Sequence, residues 1–259
     1  MGLRLRLIHV GTERLSSDPL FPLSAPQQRL QRADFRSFLQ QNLYSWAVDD
    51  CGITLSLHQV RVDGGDLLSL ILREAAEPDV ELVVLGAIPE DESEQAIRVP
   101  RDLLRRCPRP MLLLGPEGAS PVVMAATDCS DPALPVLQEA WRIAGALGDQ
   151  VVLVHNVDQA ATQFGERVGM SMTTDLADVL AERSRQWLMR TTPVRDIVIT
   201  RDPSNAQGVL AAARGIGADL LVVGVKSEDA TQHGTAEQIL EHVRRSILFV
   251  PLTPAVASR

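Results

Sequence analysis

Residues 222–250 read VVGVKSEDATQHGTAEQILEHVRRSILFV. An apolar run ends in Gly224, a polar loop follows, Gly234-Thr235 opens a helical stretch, and a second apolar run closes the segment. Strand, loop, helix and strand in that order form the repeating unit of a parallel sheet, whose neighbouring strands need a crossover between them. A helix N-terminus leaves backbone N–H groups unpaired and carries partial positive charge, so Gly234 and Thr235 suit an anion. The same pair suits an ordinary helix start, with the Thr235 hydroxyl as cap and Gln238 three residues later completing a capping box. The residue types favour the cap.

Outward from this stretch the same alternation continues. PVVMAATD at 121–128, VVLVHNV at 151–157, RDIVIT at 195–200, DLLVVG at 219–224 and SILFVPL at 246–252 read as strands. Helical stretches at 132–148, 174–190, 205–215 and 234–245 separate them, the first with Leu134, Leu137, Trp141 and Ala144 at three- and four-residue spacing. Strands apolar on both faces and divided by helices predict a parallel sheet covered on both sides. The fold class is therefore α/β, a doubly wound sheet with its ligand crevice beyond the carboxyl ends of the strands.

The first half repeats the second. LRLIHVGTE at 5–13 parallels VVLVHNVD at 151–158, GGDLLSLILREAA at 64–76 parallels NAQGVLAAARGIG at 205–217, PDVELVVLG at 78–86 parallels GADLLVVG at 217–224, and RDLLRRCPRPMLLL at 101–114 parallels EQILEHVRRSILFV at 237–250. Two copies of one unit are expected, 1–115 and 121–259, joined by the turn-rich GPEGASP at 115–121. The chain begins with the counterpart of the unit's second strand, so the first copy is expected to lack the first strand and helix. Omitting a central strand would expose two sheet edges, and the expectation is that the start is truncated or that another segment fills the gap.

Composition narrows the function. The 259 residues carry a net charge of −8, which argues against non-specific nucleic-acid binding. Arg101, Arg105, Arg106 and Arg109 crowd one segment, which reads as solvated surface. Three cysteines, Cys51, Cys107 and Cys129, without a C-x-x-C pair, exclude a disulfide scaffold and fit a reducing compartment. No apolar run reaches the length of a membrane span, and no signal peptide is recognisable at the start, so a cytoplasmic location is expected. Trp46, Trp141 and Trp187 are expected in the core, and His9 and His155, at equivalent strand positions, are expected to pack against a crossing helix. No catalytic motif of the nucleophile-elbow, P-loop or dinucleotide type is present, and the acidic runs Asp49-Asp50 and Glu90 to Glu94 read as solvated loops or helix ends.

The second half resembles the universal stress protein family from Pro121 to Leu252. The resemblance rests on Ala126-Thr127-Asp128-Cys129-Ser130, where the family usually has Asp-Gly-Ser, on Leu153-Val154-His155, on Asp219-Leu220-Leu221-Val222-Val223-Gly224, on Gly234-Thr235-Ala236-Glu237, and on Ile247-Leu248-Phe249-Val250. It implies strand order 3-2-1-4-5 and, in many members, ATP binding. The family site maps onto Asp128 near the sugar or base, Val157 near the base, and Gly224, Ser227, Gly234 and Thr235 along the phosphates. Ser227 replaces the family's second glycine, the loop is three residues shorter, and Glu228 and Asp229 bring negative charge beside the single cation Lys226. Such glycines let backbone amides approach phosphate closely, so the departures point to weak or lost ATP binding. Asp128 equally suits a helix start before Ser130, Asp131 and Pro132. In the first half Arg98-Val99 stands where Gly-Thr would be, with Pro89 and acidic residues in the loop.

Three functions remain open to the sequence. The first is a tandem universal stress protein, a non-enzymatic stress-response protein with ATP as candidate cofactor of its second domain. The second is a scaffold binding another small ligand or a partner protein, its two repeats forming an intramolecular pseudo-dimer, with a homodimer as a further option. Third and last ranks an adenylating enzyme, for which the signature loop is missing. Neither nucleic acid, metal nor a membrane is expected as a partner.

Overall fold

A computed structural model of the chain describes residues 5–10, 25–63, 65–86, 94–115, 121–157, 174–194, 196–226, 234–242 and 245–252. The chain divides into two compact units, Met1–Ile71 and Leu72–Arg259.

In the first unit, β1 (Leu7–Val10) pairs in parallel with β2 (Val60–Asp63), Leu7 opposite Val60 and Val10 opposite Asp63. Between them runs α1 (Ala25–Ser45), extended by a wider helical turn, Trp46–Asp50. Gln40 on α1 donates to the carbonyls of Leu57 (3.1 Å) and Val60 (2.7 Å), tying the helix to the start of β2. A small core of Ala47, Leu55 and Val60 gathers Leu7, Leu43, Tyr44, Val48 and Ile53. Trp46, expected in the core, is half exposed, and His9 is exposed too. The helix α2 (Leu67–Ala75) crosses the boundary between the units.

The second unit holds β3 (Val83–Leu85), α3 (Glu94–Arg106), β4 (Met111–Leu113), β5 (Val122–Ala126), α4 (Leu134–Leu147), β6 (Gln150–Asn156), α5 (Thr174–Thr191), β7 (Ile197–Thr200), α6 (Asn205–Ile216), β8 (Leu220–Lys226), α7 (Thr235–His242) and β9 (Ser246–Leu252). Seven strands form one sheet in the order β3-β4-β9-β8-β5-β6-β7, parallel throughout except where β4 meets β9. Within the second repeat that order is 3-2-1-4-5, as the family resemblance implied. Val123, Met124 and Ala125 of β5 have no solvent exposure, since helices cover both faces of this central strand. One face is filled by α4, whose Val136, Leu137, Ala140 and Ala144 meet Val123, Ala125, Leu153, Val222 and Leu248. Trp141 and Trp187 pack against the same cluster from its margin. The helix α6 starts at Ser204, whose hydroxyl accepts the Gln207 N–H at 3.4 Å. It stops at Gly217, whose left-handed φ of 75° suits glycine.

The repeat explains why the compact units divide at Ile71 and Leu72 and not at the 115–121 linker. Strands β1, β2, β3 and β4 correspond to β6, β7, β8 and β9, but β5 and α4 have no counterpart among the described residues of the first half. The first repeat therefore appears as two separate strand pairs. One, β3-β4, joins the sheet of the second repeat, and Leu112 of β4 and Leu82, just before β3, pack against that core.

Candidate functional site

In an open α/β sheet, the crevice lies where neighbouring strands send their connections to opposite faces. Here that point falls between β5 and its neighbour β8. The chain leaves β5 through Thr127, Asp128, Cys129 and Ser130, a turn that its own side chains hold closed. Asp128 Oδ1 accepts from the Ser130 N–H (3.1 Å) and hydroxyl (2.5 Å), and Thr127 Oγ1 accepts from the Cys129 N–H at 3.1 Å. Cys129 adopts a left-handed φ of 60°, a conformation that costs a side-chain-bearing residue about 1 kcal/mol and costs glycine nothing. Its thiol is pushed up to about 12 by burial, against a hydrogen bond with Ser184.

Across the switch point, Lys226 at the end of β8 places its Nζ 3.8 Å from Asp128 Oδ2. Both oxygens of Asp128 thus have partners within the chain. Beneath them His155 is buried on β6 and donates through Nδ1 to the Thr127 carbonyl at 2.8 Å. Burial holds its imidazole below the ordinary value, with the Thr127 hydrogen bond and the Asp128 charge pulling the other way. It is a neutral support of the turn, consistent with a packed strand histidine.

The remaining residues assigned from sequence meet different surroundings. Val157 follows β6 with its N–H on the Thr200 carbonyl at 3.2 Å, and it is 1% exposed, so it lines the interior beneath the crevice. A side chain added at Gly224 would lie 2.8 Å from Leu252 Cδ1 and 3.0 Å from Val136 Cγ2, so the space that glycine frees is filled by the protein's own side chains. Gly234 is open, with nothing within 4 Å of an added Cβ, and its carbonyl accepts the Gln238 N–H at 3.1 Å. It occupies the cap position, and Thr235 is the first residue of α7, one step later than a Thr235 cap requires. Ser227 and the acidic Glu228-Asp229 lie outside the described residues. The structure therefore gathers Asp128, Lys226, Gly224 and Val157 around the carboxyl ends of β5, β6 and β8.

Two arrangements had no signal in local sequence. Asn156 is buried at the end of β6, and its amide is fully satisfied. It donates to the Asp202 carbonyl and Asn205 Oδ1, both at 2.8 Å, and accepts from the Thr200 hydroxyl (3.0 Å) and the Asp202 N–H (2.9 Å). That fixes the turn from β7 into α6. Three of the four arginines read as solvated surface are engaged instead, while Arg106 is exposed as expected. Arg105 bonds Glu237 through two nitrogens (2.6 and 3.1 Å), Arg101 meets Glu241 (2.5 Å), and Arg109 donates to the Ala75 and Glu77 carbonyls, each at 3.1 Å. Among the described residues no cluster could hold a metal ion, and no helix is long and apolar enough to cross a membrane.

Comparison with known proteins bears on the fold and the family. Among solved structures, a protein of unknown function from Pseudomonas aeruginosa PAO1 is similar at 17% identity and a TM-score of 0.61, over 96% of this chain and 82% of that one. A putative universal stress protein from Pseudomonas aeruginosa UCBPP-PA14 gives 17% and 0.61 over 95% and 82%. A universal stress protein from Archaeoglobus fulgidus DSM 4304 gives 12% and 0.60 over 95% and 86%. At these identities the likeness concerns the fold, and it spans both repeats. Among curated proteins no match is found. The model of the universal stress protein family matches residues 121–251, from the strand before the Asp128 turn to Pro251 in β9, and the chain belongs to that family.

Proposed function

We propose that the protein is a non-enzymatic stress-response protein of the cytoplasm whose second-repeat crevice takes a nucleotide such as ATP only weakly. The observation that carries this reading is the pairing of Asp128 with Ser130 on one oxygen and Lys226 on the other. A sugar hydroxyl seeking Asp128 meets a carboxylate already engaged. An exposed pair of this kind is worth at most about 1 kcal/mol, so it weakens a ligand without barring it. The filled space beside Gly224 supports the same conclusion, because it removes one close approach of backbone to phosphate. If a nucleotide binds, Asp128 and the crevice wall near Val157 hold the sugar and base, and Gly234-Thr235 at the head of α7 receives one anionic group. The non-enzymatic reading rests on the sequence, which carries no nucleophile-elbow, P-loop or dinucleotide motif. The second reading, a crevice for a different small ligand, is favoured by Lys226 at its mouth, which suits a carboxylate as well as a phosphate.

The test is calorimetric titration with ATP and Mg²⁺ beside Gly234→Asp. Position 234 is open, so the new carboxylate fits without displacing the fold. Weak heat that vanishes in the variant supports the proposal. Tight binding, or weak binding indifferent to Gly234→Asp, would overturn it.

A further inference from the structure

The sequence repeat and the sheet register meet at one place. Aligning 101–114 with 237–250 makes Leu112 the equivalent of Leu248, and in the structure these two residues face each other across the antiparallel β4-β9 pair. Met111 opposite Phe249 and Leu113 opposite Ile247 complete a local pseudo-twofold centred on them. About such an axis, a residue i that contacts j is mirrored by the equivalent of j contacting the equivalent of i.

The same alignment makes Arg101 the equivalent of Glu237 and Arg105 the equivalent of Glu241. The contacts are crossed, as the axis demands: Arg101 with Glu241 and Arg105 with Glu237. Two arginines a helical turn apart on α3 therefore face two glutamates a turn apart on α7. If β9 and α7 of one copy met β9 and α7 of another by this geometry, Glu237 would face Glu241 in both directions. If two α3-β4 surfaces met, arginine would face arginine. Apolar β4 and β9 carry no such preference, since Leu112 and Leu248 are identical and their neighbours are similar in kind.

We propose that this ladder is a charge code that assigns the α7-β9 edge of the second repeat to the α3-β4 surface of the chain's own first repeat and refuses a second copy of itself. Attraction and repulsion act together, as specificity between similar surfaces requires. Glu237 is the most enclosed member, its side chain about one-tenth exposed, so its two bonds to Arg105 are the least screened of the ladder and a like charge opposite it costs most. The placement also suits the helix dipoles, with Arg105 in the last turn of α3 and Glu237 in the first turn of α7.

The experiment uses the full chain in four forms: the parent, R101E/R105E, E237R/E241R, and the quadruple exchange of all four. Backbone hydrogen exchange at β4 and β9 is followed by mass spectrometry at low and high salt. Each double variant should exchange at least tenfold faster than the parent, the more so at low salt, and the quadruple should return to within about fivefold, the remainder reflecting charges reversed against the helix ends. If a double variant fails to fold, recovery of a folded quadruple carries the same meaning. R101Q/R105Q, which removes attraction without adding repulsion, should fall between parent and double variants. A quadruple as open as the doubles, or doubles no worse than R101Q/R105Q, would overturn the code and leave α3 and α7 as packing partners only.

Discussion

Gly208 lies inside α6, where replacing glycine by alanine ordinarily stabilises a helix by about 0.8–1 kcal/mol. Its surroundings reverse the sign. An added Cβ would sit 2.9 Å from Thr200 Oγ1, 3.0 Å from Asn156 Oδ1 and 3.1 Å from Asp202 Cβ. None of the three can yield freely, because the Thr200 hydroxyl and the Asp202 N–H both bond Asn156 Oδ1, and Asn156 is held at its other end by Asp202 and Asn205. Overpacking costs about 1–3 kcal/mol and one displaced hydrogen bond about 1, so after the helix gain Gly208→Ala should be destabilising by about 2 kcal/mol. Gly215 is the internal control: it lies in the same helix, exposed, with nothing within 4 Å of an added Cβ. Gly215→Ala should stabilise by about 0.5–1 kcal/mol. In a thermal melt of the full chain, the two shifts should be about −4 to −8 °C and about +2 °C. Shifts of the same sign would refute the claim that the Asn156 network, and not helix propensity, governs this position.

Two further outcomes follow from the crevice side chains. His155 is held neutral by burial below the ordinary 6.5, so as pH falls the unfolded chain takes up a proton that the folded chain resists. Its contribution is complete above about pH 6.5 and declines below it, by at most about 1.4 kcal/mol per pH unit. His155→Asn keeps a donor for the Thr127 carbonyl and should flatten that decline; a stability difference between parent and variant that stays constant from about pH 7.5 to 5.5 would sink this account. Cysteine reactivity gives an independent check: burial raises the Cys107 thiol and pushes Cys129 to about 12, while Cys51 is exposed. Iodoacetamide at about pH 8 should label Cys51 and spare the other two until denaturant is added, and equal labelling of Cys129 in the native state would contradict its enclosure.

The second repeat was legible because its strands are buried on both faces, which leaves unbroken apolar runs such as residues 247–250 set off by helices of clear period. Cys129 carried a signal as well: a non-glycine in the turn where the family usually has glycine does occupy left-handed space. What escaped were features whose partners are distant in sequence. Arg105 reads as one of four crowded arginines until Glu237 is brought beside it. Asn156 is an unremarked strand-end residue until the turn at Asp202 folds over it. His9 matched His155 by alignment, yet His155 is buried under the carbonyl of Thr127 at the end of β5, and the first repeat has no described equivalent of that strand. Gly224 shows a limit of another kind: read from sequence as the end of its strand, it lies inside β8, which runs on to Lys226, and a glycine there is equally consistent with phosphate and with the side chain of Leu252, so only packing distinguishes them.

The first repeat also shows why an interface can persist where a binding site does not. Aligned with Gly234-Thr235, its Arg98-Val99 lies more than a turn inside α3, which begins at Glu94, whereas α7 begins at Thr235. Interior helical N–H groups are spent on the carbonyls four residues earlier, so there is no helix head at that position to face an anion, whatever the loop before it. The extension costs the interface nothing, because Arg101, Arg105 and β4 all lie after it and keep their register with Glu241, Glu237 and β9. A bare β9 edge would present unpaired backbone along an apolar strand, and β4 covers it over Ile247, Leu248 and Phe249. Those three pairs require β4 to be short, apolar and antiparallel, and require no glycine anywhere in the first repeat. The part of the β3-β4 pair in this fold is accordingly to extend the sheet of the second repeat past its β9 edge.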